Sequence, residues 1–214
     1  MAVSVTLACQ AGSLPFAWPL YPPQQWAEDM ARRAKAGVAP HLEFATKATI
    51  ALAQLEPLME QGAPRHCVPA DAGYGVDTAL RERHSELSPP YVAGVTGQVR
   101  VWPPGHAPLP PEPYSGCANV PTHQRLGDAK HQRPLSAKEL AFELDPSQWQ
   151  TLEWRERPNF TLRSRFAQVR VHAAHRDHQR SQLRAQEWLF IEWPEGHKGA
   201  DEVLAEHLAP GNGA

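Results

Sequence analysis

Asp71 closes the apolar run in His66-Cys-Val-Pro-Ala-Asp71-Ala-Gly-Tyr-Gly75, and glycines flank the tyrosine that follows. In an α/β sheet, the carboxyl end of a strand is where ligands and metals are usually held. A carboxylate there suits Mg²⁺, a hard ion that takes oxygen ligands and keeps waters and substrate phosphates as its other partners. Asp71 is therefore the candidate catalytic and metal-binding residue, although an aspartate in this place also caps a following helix. Asp77 offers a second carboxylate, for which compensation of a helix dipole is the simpler role.

A second chemistry is carried by charge. Arg155, Arg157, Arg163, Arg165, Arg170, Arg176, Arg180 and Arg184 face only Glu156 and Asp177 in the same stretch, which therefore carries +6 with histidines neutral. Arginines on a β scaffold suit phosphate contacts, which fix position on a duplex without reading its sequence. The first seven are the candidate DNA-binding residues. Arg163 and Arg165 share the parity of the apolar Val169 and Val171, so alternation does not put every arginine on one wet face. A solvated surface balanced by the downstream acids, from Glu187 to Glu206, accounts for the run equally well.

Metal chemistry of the zinc type has little support. His172, His175 and His178 recur every third residue, but the arginines among them would repel a cation. His123 with Cys117 and His131 is no stronger. The chain has no phosphate-binding loop, dinucleotide glycine pattern or nucleophile elbow. Cys9, Cys67 and Cys117 are odd in number and widely spaced, which fits a reducing cytoplasm better than a disulfide framework.

The elements that must position Asp71 follow from periodicity and punctuation. Residues 3–9 and 14–20 alternate as a hairpin across Gly12-Ser13, and residues 26–35 and 46–61 read as helices, the second stopped by Gly62. Residues 67–70 form a short strand whose Pro69 suits an edge. A helix over 76–87 and a strand over 91–95 complete a βαβαβ succession, which predicts an α/β sheet. Beyond Gly97, Trp102-Pro-Pro-Gly-His-Ala-Pro-Leu-Pro-Pro-Glu-Pro113 admits neither helix nor central strand. Residues 137–143 fit a short helix with Ser136 and Glu139 as its capping box. Strands are predicted over 149–153, 161–173 and 187–193. Residues 98–200 thus read as a β-rich, Pro-rich subdomain on the α/β part, and 201–214 as a flexible, frayed tail.

With 214 residues, 42% hydrophobic composition and a net charge of −2, the whole chain shows no global bias toward nucleic acid or membrane. No run approaches the ~18 apolar residues that span a bilayer, and the opening residues lack the basic region of a secretion signal. A cytoplasmic protein with no membrane partner is expected.

The segment Ala70-Asp71-Ala-Gly-Tyr-Gly75 resembles the second-aspartate region of DDE transposases from bacterial insertion sequences. The likeness continues in Leu14-Pro-Phe-Ala-Trp18-Pro-Leu-Tyr21, Trp26-Ala-Glu-Asp29, Arg32-Arg-Ala-Lys-Ala-Gly37 and Phe44-Ala-Thr-Lys47. It extends through Tyr91-Val-Ala-Gly-Val-Thr-Gly-Gln-Val-Arg-Val-Trp-Pro-Pro-Gly-His106, Ser164-Arg-Phe-Ala-Gln-Val-Arg-Val171 and Glu187-Trp-Leu-Phe-Ile-Glu-Trp-Pro-Glu-Gly196. In order, these cover the chain from about residue 3 to about 198.

The resemblance implies an RNase H-like core, incomplete here and held by residues 1–97, carrying the β-rich insertion of 98–200. It implies cleavage and joining of transposon ends by three carboxylates around two Mg²⁺ ions. Asp71 falls at the second carboxylate. The first aspartate of such proteins belongs on a strand upstream of Met1, and the last glutamate on a helix after the insertion. Glu202 and Glu206 lack the arginine- and tyrosine-containing context of that glutamate. The expectation is thus a truncated transposase with weak or absent Mg²⁺ binding and no catalysis of its own. Its partners would be transposon-end DNA and an intact transposase, and DNA binding would place it at the nucleoid. A DNA-binding or regulatory fragment is the alternative, and an unrelated enzyme using Asp71 with Asp77 a third reading.

Overall fold

A computed structural model describes residues 2–9, 11–40, 42–63, 66–87, 89–116, 120–127, 133–157, 160–194 and 204–208; within these, the side chains of 16, 154–157, 160, 178, 194 and 204–208 lie outside the description. The architecture is mixed α/β. Backbone contacts divide it into two units, Met1–His66 with Glu82–Pro89, and Cys67–Arg81 with Pro90–Ala214.

The first unit opens with the predicted hairpin, strands β1 (Val5–Cys9) and β2 (Gly12–Ala17), paired antiparallel from Cys9 opposite Gly12 to Val5 opposite Ala17. The single helix expected over 26–35 is two short ones, α1 (Gln24–Glu28) and α2 (Met30–Lys35). The break is Asp29, whose backbone is extended and whose carboxylate accepts from the Arg32 amide at 2.9 Å, so it caps a new helix. The Arg33 guanidinium then donates to the carbonyls of Ala27, Ala39, Pro40 and Leu42, which pins the loop after α2. Helix α3 (Lys47–Glu60) is capped by Thr46 and buries Ala48 and Leu55.

The second unit holds the sheet. Its elements are β3 (Val68–Ala70), α4 (Ala72–Gly75), the start of α5 (Thr78–Leu87), β4 (Tyr91–Val95), β5 (Arg100–Trp102), β6 (Leu135–Ser136), α6 (Ala137–Glu143), β7 (Trp149–Arg157), β8 (Phe160–Ala173), β9 (Gln186–Pro194) and β10 (Leu204–Leu208). The eight-stranded order is β3-β4-β10-β9-β8-β5-β6, with β7 paired to β8 beside β5. Among the described residues, only β3 and β4 pair in parallel in this sheet.

Two features depart from the sequence reading. The helix expected over 76–87 is α5, which starts at Thr78 because the Asp77 carboxylate caps it by accepting from the Leu80 amide at 3.0 Å, and the turn before it is a separate short helix, α4. Within the stretch expected as a frayed tail, Leu204–Leu208 forms β10 and pairs with both β4 and β9. One continuous sheet therefore runs across residue 97. Pro69 is tolerated because β3 lies at the end of the sheet order and needs no second ladder.

The core of this unit follows strand alternation. Val169 and Val171 of β8 and Leu189 and Ile191 of β9 point to one side, where Ala137, Leu140 and Ala141 of α6 close over them. The capping box predicted for α6 is complete: the Ser136 hydroxyl accepts from the Glu139 amide at 3.1 Å, and the Glu139 carboxylate accepts from the Ser136 amide at 2.7 Å.

Candidate functional site

Asp71 directly follows β3 and caps α4. Its Oδ1 accepts from the Gly73 amide at 2.8 Å, and its carbonyl accepts from the amides of Tyr74 and Gly75 at 3.0 and 2.9 Å. The side chain is exposed, and Oδ2 accepts no hydrogen bond among the described residues. One carboxylate oxygen thus holds the turn while the other faces outward. Beside it, the Tyr74 phenol is held above its usual pKa, first by burial and then by the negative charge of Asp71.

The turn is fixed to the sheet by backbone contact. A Cβ on Gly75 would lie 1.9 Å from the Gly94 carbonyl oxygen, and one on Gly94 would lie 3.1 Å from the Ala72 amide nitrogen. Gly75 must therefore be glycine for α4 to pack directly on β4, while a side chain at Gly94 would require the α4 backbone to give by a few tenths of an ångström. The signal was present in the sequence, since a lone glycine inside an apolar strand marks close backbone approach. A second tether had no local signature. Arg81, fully buried, donates from Nε to the Glu187 carboxylate at 2.9 Å and from Nη1 to the Gly75 carbonyl. The pair is 106 residues apart in the chain.

Asp77 has a structural task in capping α5. Among the described residues, no group of three or more His, Cys, Asp or Glu side chains is placed to hold a metal. The exposed oxygen of Asp71 fits one ligand position of a hard cation, but the described residues do not furnish a full shell. Of the three histidines, His172 Nδ1 lies 2.6 Å from the Arg184 carbonyl, His175 is exposed, and the His178 side chain is outside the description. Cys117 and His131, weighed with His123, also lie outside it.

The arginines are distributed rather than gathered. Arg155 and Arg157 lie on β7, with side chains outside the described set. Arg163 and Arg165 are exposed on the core side of β8, while Arg170 points to the opposite side. Arg163 meets Glu153 at 3.5 Å. The Arg165 guanidinium lies 5.7 and 5.5 Å from the Trp149 and Trp193 rings, and Arg170 lies 4.9 Å from that of Trp188. Arg176 occupies a left-handed turn position with φ 54°, and Arg180 accepts through its carbonyl from the Gln124 amide at 2.8 Å. Arg184 is buried in a lock with Asp177, whose other oxygen accepts from the Trp102 indole at 2.7 Å.

These features define a mixed α/β protein that presents one carboxylate at a strand end on a rigid turn. The chain belongs to the DDE superfamily endonucleases, whose family description matches residues 1–159. That membership carries a family-level association with DDE transposase activity. No curated protein and no solved structure matches the chain. Among the described residues, no helix is long and apolar enough to cross a membrane.

Proposed function

We propose that this chain is part of a DDE-type transposase, with Asp71 as one of the carboxylates that bind Mg²⁺ in an RNase H-like core. The observation that carries the reading is the outward-facing oxygen of Asp71, on a turn that directly follows a strand of the sheet. Residues 1–97 contribute to that core and 98–200 form its insertion, both supplying strands to one sheet. A single carboxylate leaves most of the shell of a Mg²⁺ ion to water, so residues 1–214 alone bind the ion weakly and do not cleave DNA. The purified chain, incubated with Mg²⁺ and transposon-end DNA, is expected to leave the DNA intact. Cleavage that disappears in D71A would overturn this reading.

A second reading, a DNA-binding or regulatory fragment acting with an intact transposase, is favoured by the exposure of Arg163 and Arg165. In that case DNA affinity falls steeply with salt, and R163A/R165A makes the slope shallower. A salt-independent interaction, or none, would exclude it.

A further inference from the structure

The second unit holds a cavity of about 130 Å³ where the segment leaving β8 meets residues 124–126. Leu126, Pro134 and Ala174 form its apolar lining, and Gln124, Arg125, Arg176 and Asp177 its polar one. Backbone bonds fix its sides. The Gln124 amide donates to the Arg180 carbonyl at 2.8 Å, and Leu109 and Arg125 exchange amide–carbonyl bonds of 2.9 and 3.0 Å.

Two of the four polar side chains are already engaged. Asp177 accepts from Arg184 on one oxygen and from the Trp102 indole on the other. Arg125 donates to the Pro110 carbonyl and to Glu112. The other two are not. Gln124 is only 8% exposed, and its Oε1 is buried with no hydrogen-bond partner among the described residues. A buried carboxamide oxygen in that state costs free energy until a donor reaches it. Arg176 is exposed, and its guanidinium makes neither an ion pair nor a hydrogen bond among the described residues. It is also the one non-glycine residue among them with left-handed backbone, φ 54°, at the entry to a single 3₁₀ turn, Asp177–Gln179. Strain of that kind persists where the surroundings over-determine the conformation, and ligand clamps are such places.

Size and donors select the occupant. A cavity of ~150 Å³ holds one six-membered ring, so this one suits a single planar ring and not a fused pair. A carboxamide sets one acceptor beside two donors, which matches the Watson–Crick edge of a pyrimidine base. Leu126, which is 56% exposed, gives apolar contact to such a ring together with Pro134 and Ala174. An exposed guanidinium suits the phosphate of the same nucleotide. We propose that the cavity takes one unpaired pyrimidine base, with Gln124 bonded to its Watson–Crick edge and Arg176 to the adjoining phosphate. That the base belongs to a DNA strand rests on the DNA-binding reading above; the cavity itself fits any pyrimidine nucleotide. Arg176 then positions a strand, and Gln124 reads it.

The test is titration calorimetry of the 214-residue chain with thymidine 5′-monophosphate, thymidine, deoxyadenosine 5′-monophosphate and deoxyribose 5-phosphate. Saturable binding of the thymine nucleotide is expected, with the adenine nucleotide and the sugar phosphate clearly weaker. Gln124→Leu keeps the size of the side chain and removes its polar atoms, so it should weaken the thymine nucleotide about tenfold, the worth of one hydrogen bond. Arg176→Gly should abolish the advantage of the nucleotide over the nucleoside. Both variants should unfold at or above the parent temperature, because one removes an unpaired buried oxygen and the other a strained backbone position. A purely structural role for either side chain predicts the reverse. R176G changes an exposed residue and keeps the test valid if Q124L fails to fold. No saturable binding, equal affinity for the adenine nucleotide, or affinities unchanged in both variants would overturn the proposal. A second arm competes the bound nucleotide with single-stranded oligothymidylate and with an abasic strand of the same length. Displacement by the first alone assigns the cavity to a DNA base, and equal displacement by both overturns base recognition. Displacement by neither overturns the DNA assignment in favour of a free nucleotide, while the Asp71 reading keeps its own cleavage test.

Discussion

The turn after β3 and the arginine-bearing strands β7 and β8 are both candidate sites, yet they are built on opposite principles. In the turn, nearly every atom has one permitted place: Gly75 touches Gly94 through backbone, Asp71 and Asp77 cap successive helices, and Arg81 joins the turn to β9 from a fully buried position. On the strands, Arg163 and Arg165 are exposed and make longer-range contacts to a carboxylate and to tryptophan rings. Sequence density of charge is thus a poor guide to a built site. A single aspartate held by its neighbours is more specific than a run of eight arginines whose described members on β8 lie on two faces.

Breaking the buried tether should give the largest effect. Glu187→Leu leaves the Arg81 charge without its carboxylate in the interior and should cost about 3–5 kcal/mol in urea unfolding. The double variant R81M/E187L should recover part of that loss, because no buried charge then remains. A loss below 1 kcal/mol for E187L, in the range of an exposed pair, would show that Arg81 is hydrated and the turn loosely held. Gly75→Ala should follow at about 1–3 kcal/mol, the range for forced overpacking. Gly94→Ala should cost less, since its added Cβ lies 3.1 Å from the nearest atom and not 1.9 Å. Equal losses at the two positions would contradict direct packing of α4 on β4.

The same contrast explains what could be read in advance. Local signals were legible: the Ser136–Glu139 box, the Thr46 cap, the strand at Val68–Ala70 with its edge proline, and alternation along β8 all concern residues within a few positions of one another. The division of the 26–35 helix at Asp29 was missed because periodicity continues across a residue whose side chain caps the next segment. Non-local features left no trace. Arg81 reads as one more helix arginine until Glu187, from another strand, is brought to it. Strand β10 was hidden because a short, mixed stretch near Pro-Gly-Asn-Gly acquires its ladder only from β4 and β9. Asp71 itself was legible by position, while its outward oxygen depends on packing.

On the strand side, effects should be smaller. Arg165→Ala removes a cation from beside two half-buried tryptophans and should cost about 0.5–1 kcal/mol, with a change in tryptophan fluorescence. A loss comparable to that of E187L would mean that the arginine surface is as constrained as the turn, and the comparison would fail.

The smallest effect on stability is the most informative about function. Asparagine caps a helix about as well as aspartate, so Asp71→Asn should retain the Gly73 contact and change stability by less than about 0.5 kcal/mol. The charge, however, is gone. The Tyr74 phenol should then titrate at lower pH than in the parent chain, while remaining raised by its burial, because the Asp71 contribution opposes phenolate formation. Alkaline absorbance titration of D71N against the parent reads that difference directly. An unchanged tyrosine titration would show that the carboxylate does not sit beside the phenol, and the outward-facing geometry would be wrong. A shifted titration with unchanged stability would separate the two roles of Asp71. The cap then belongs to the fold, and the charge, which the fold does not need, is left for a cation.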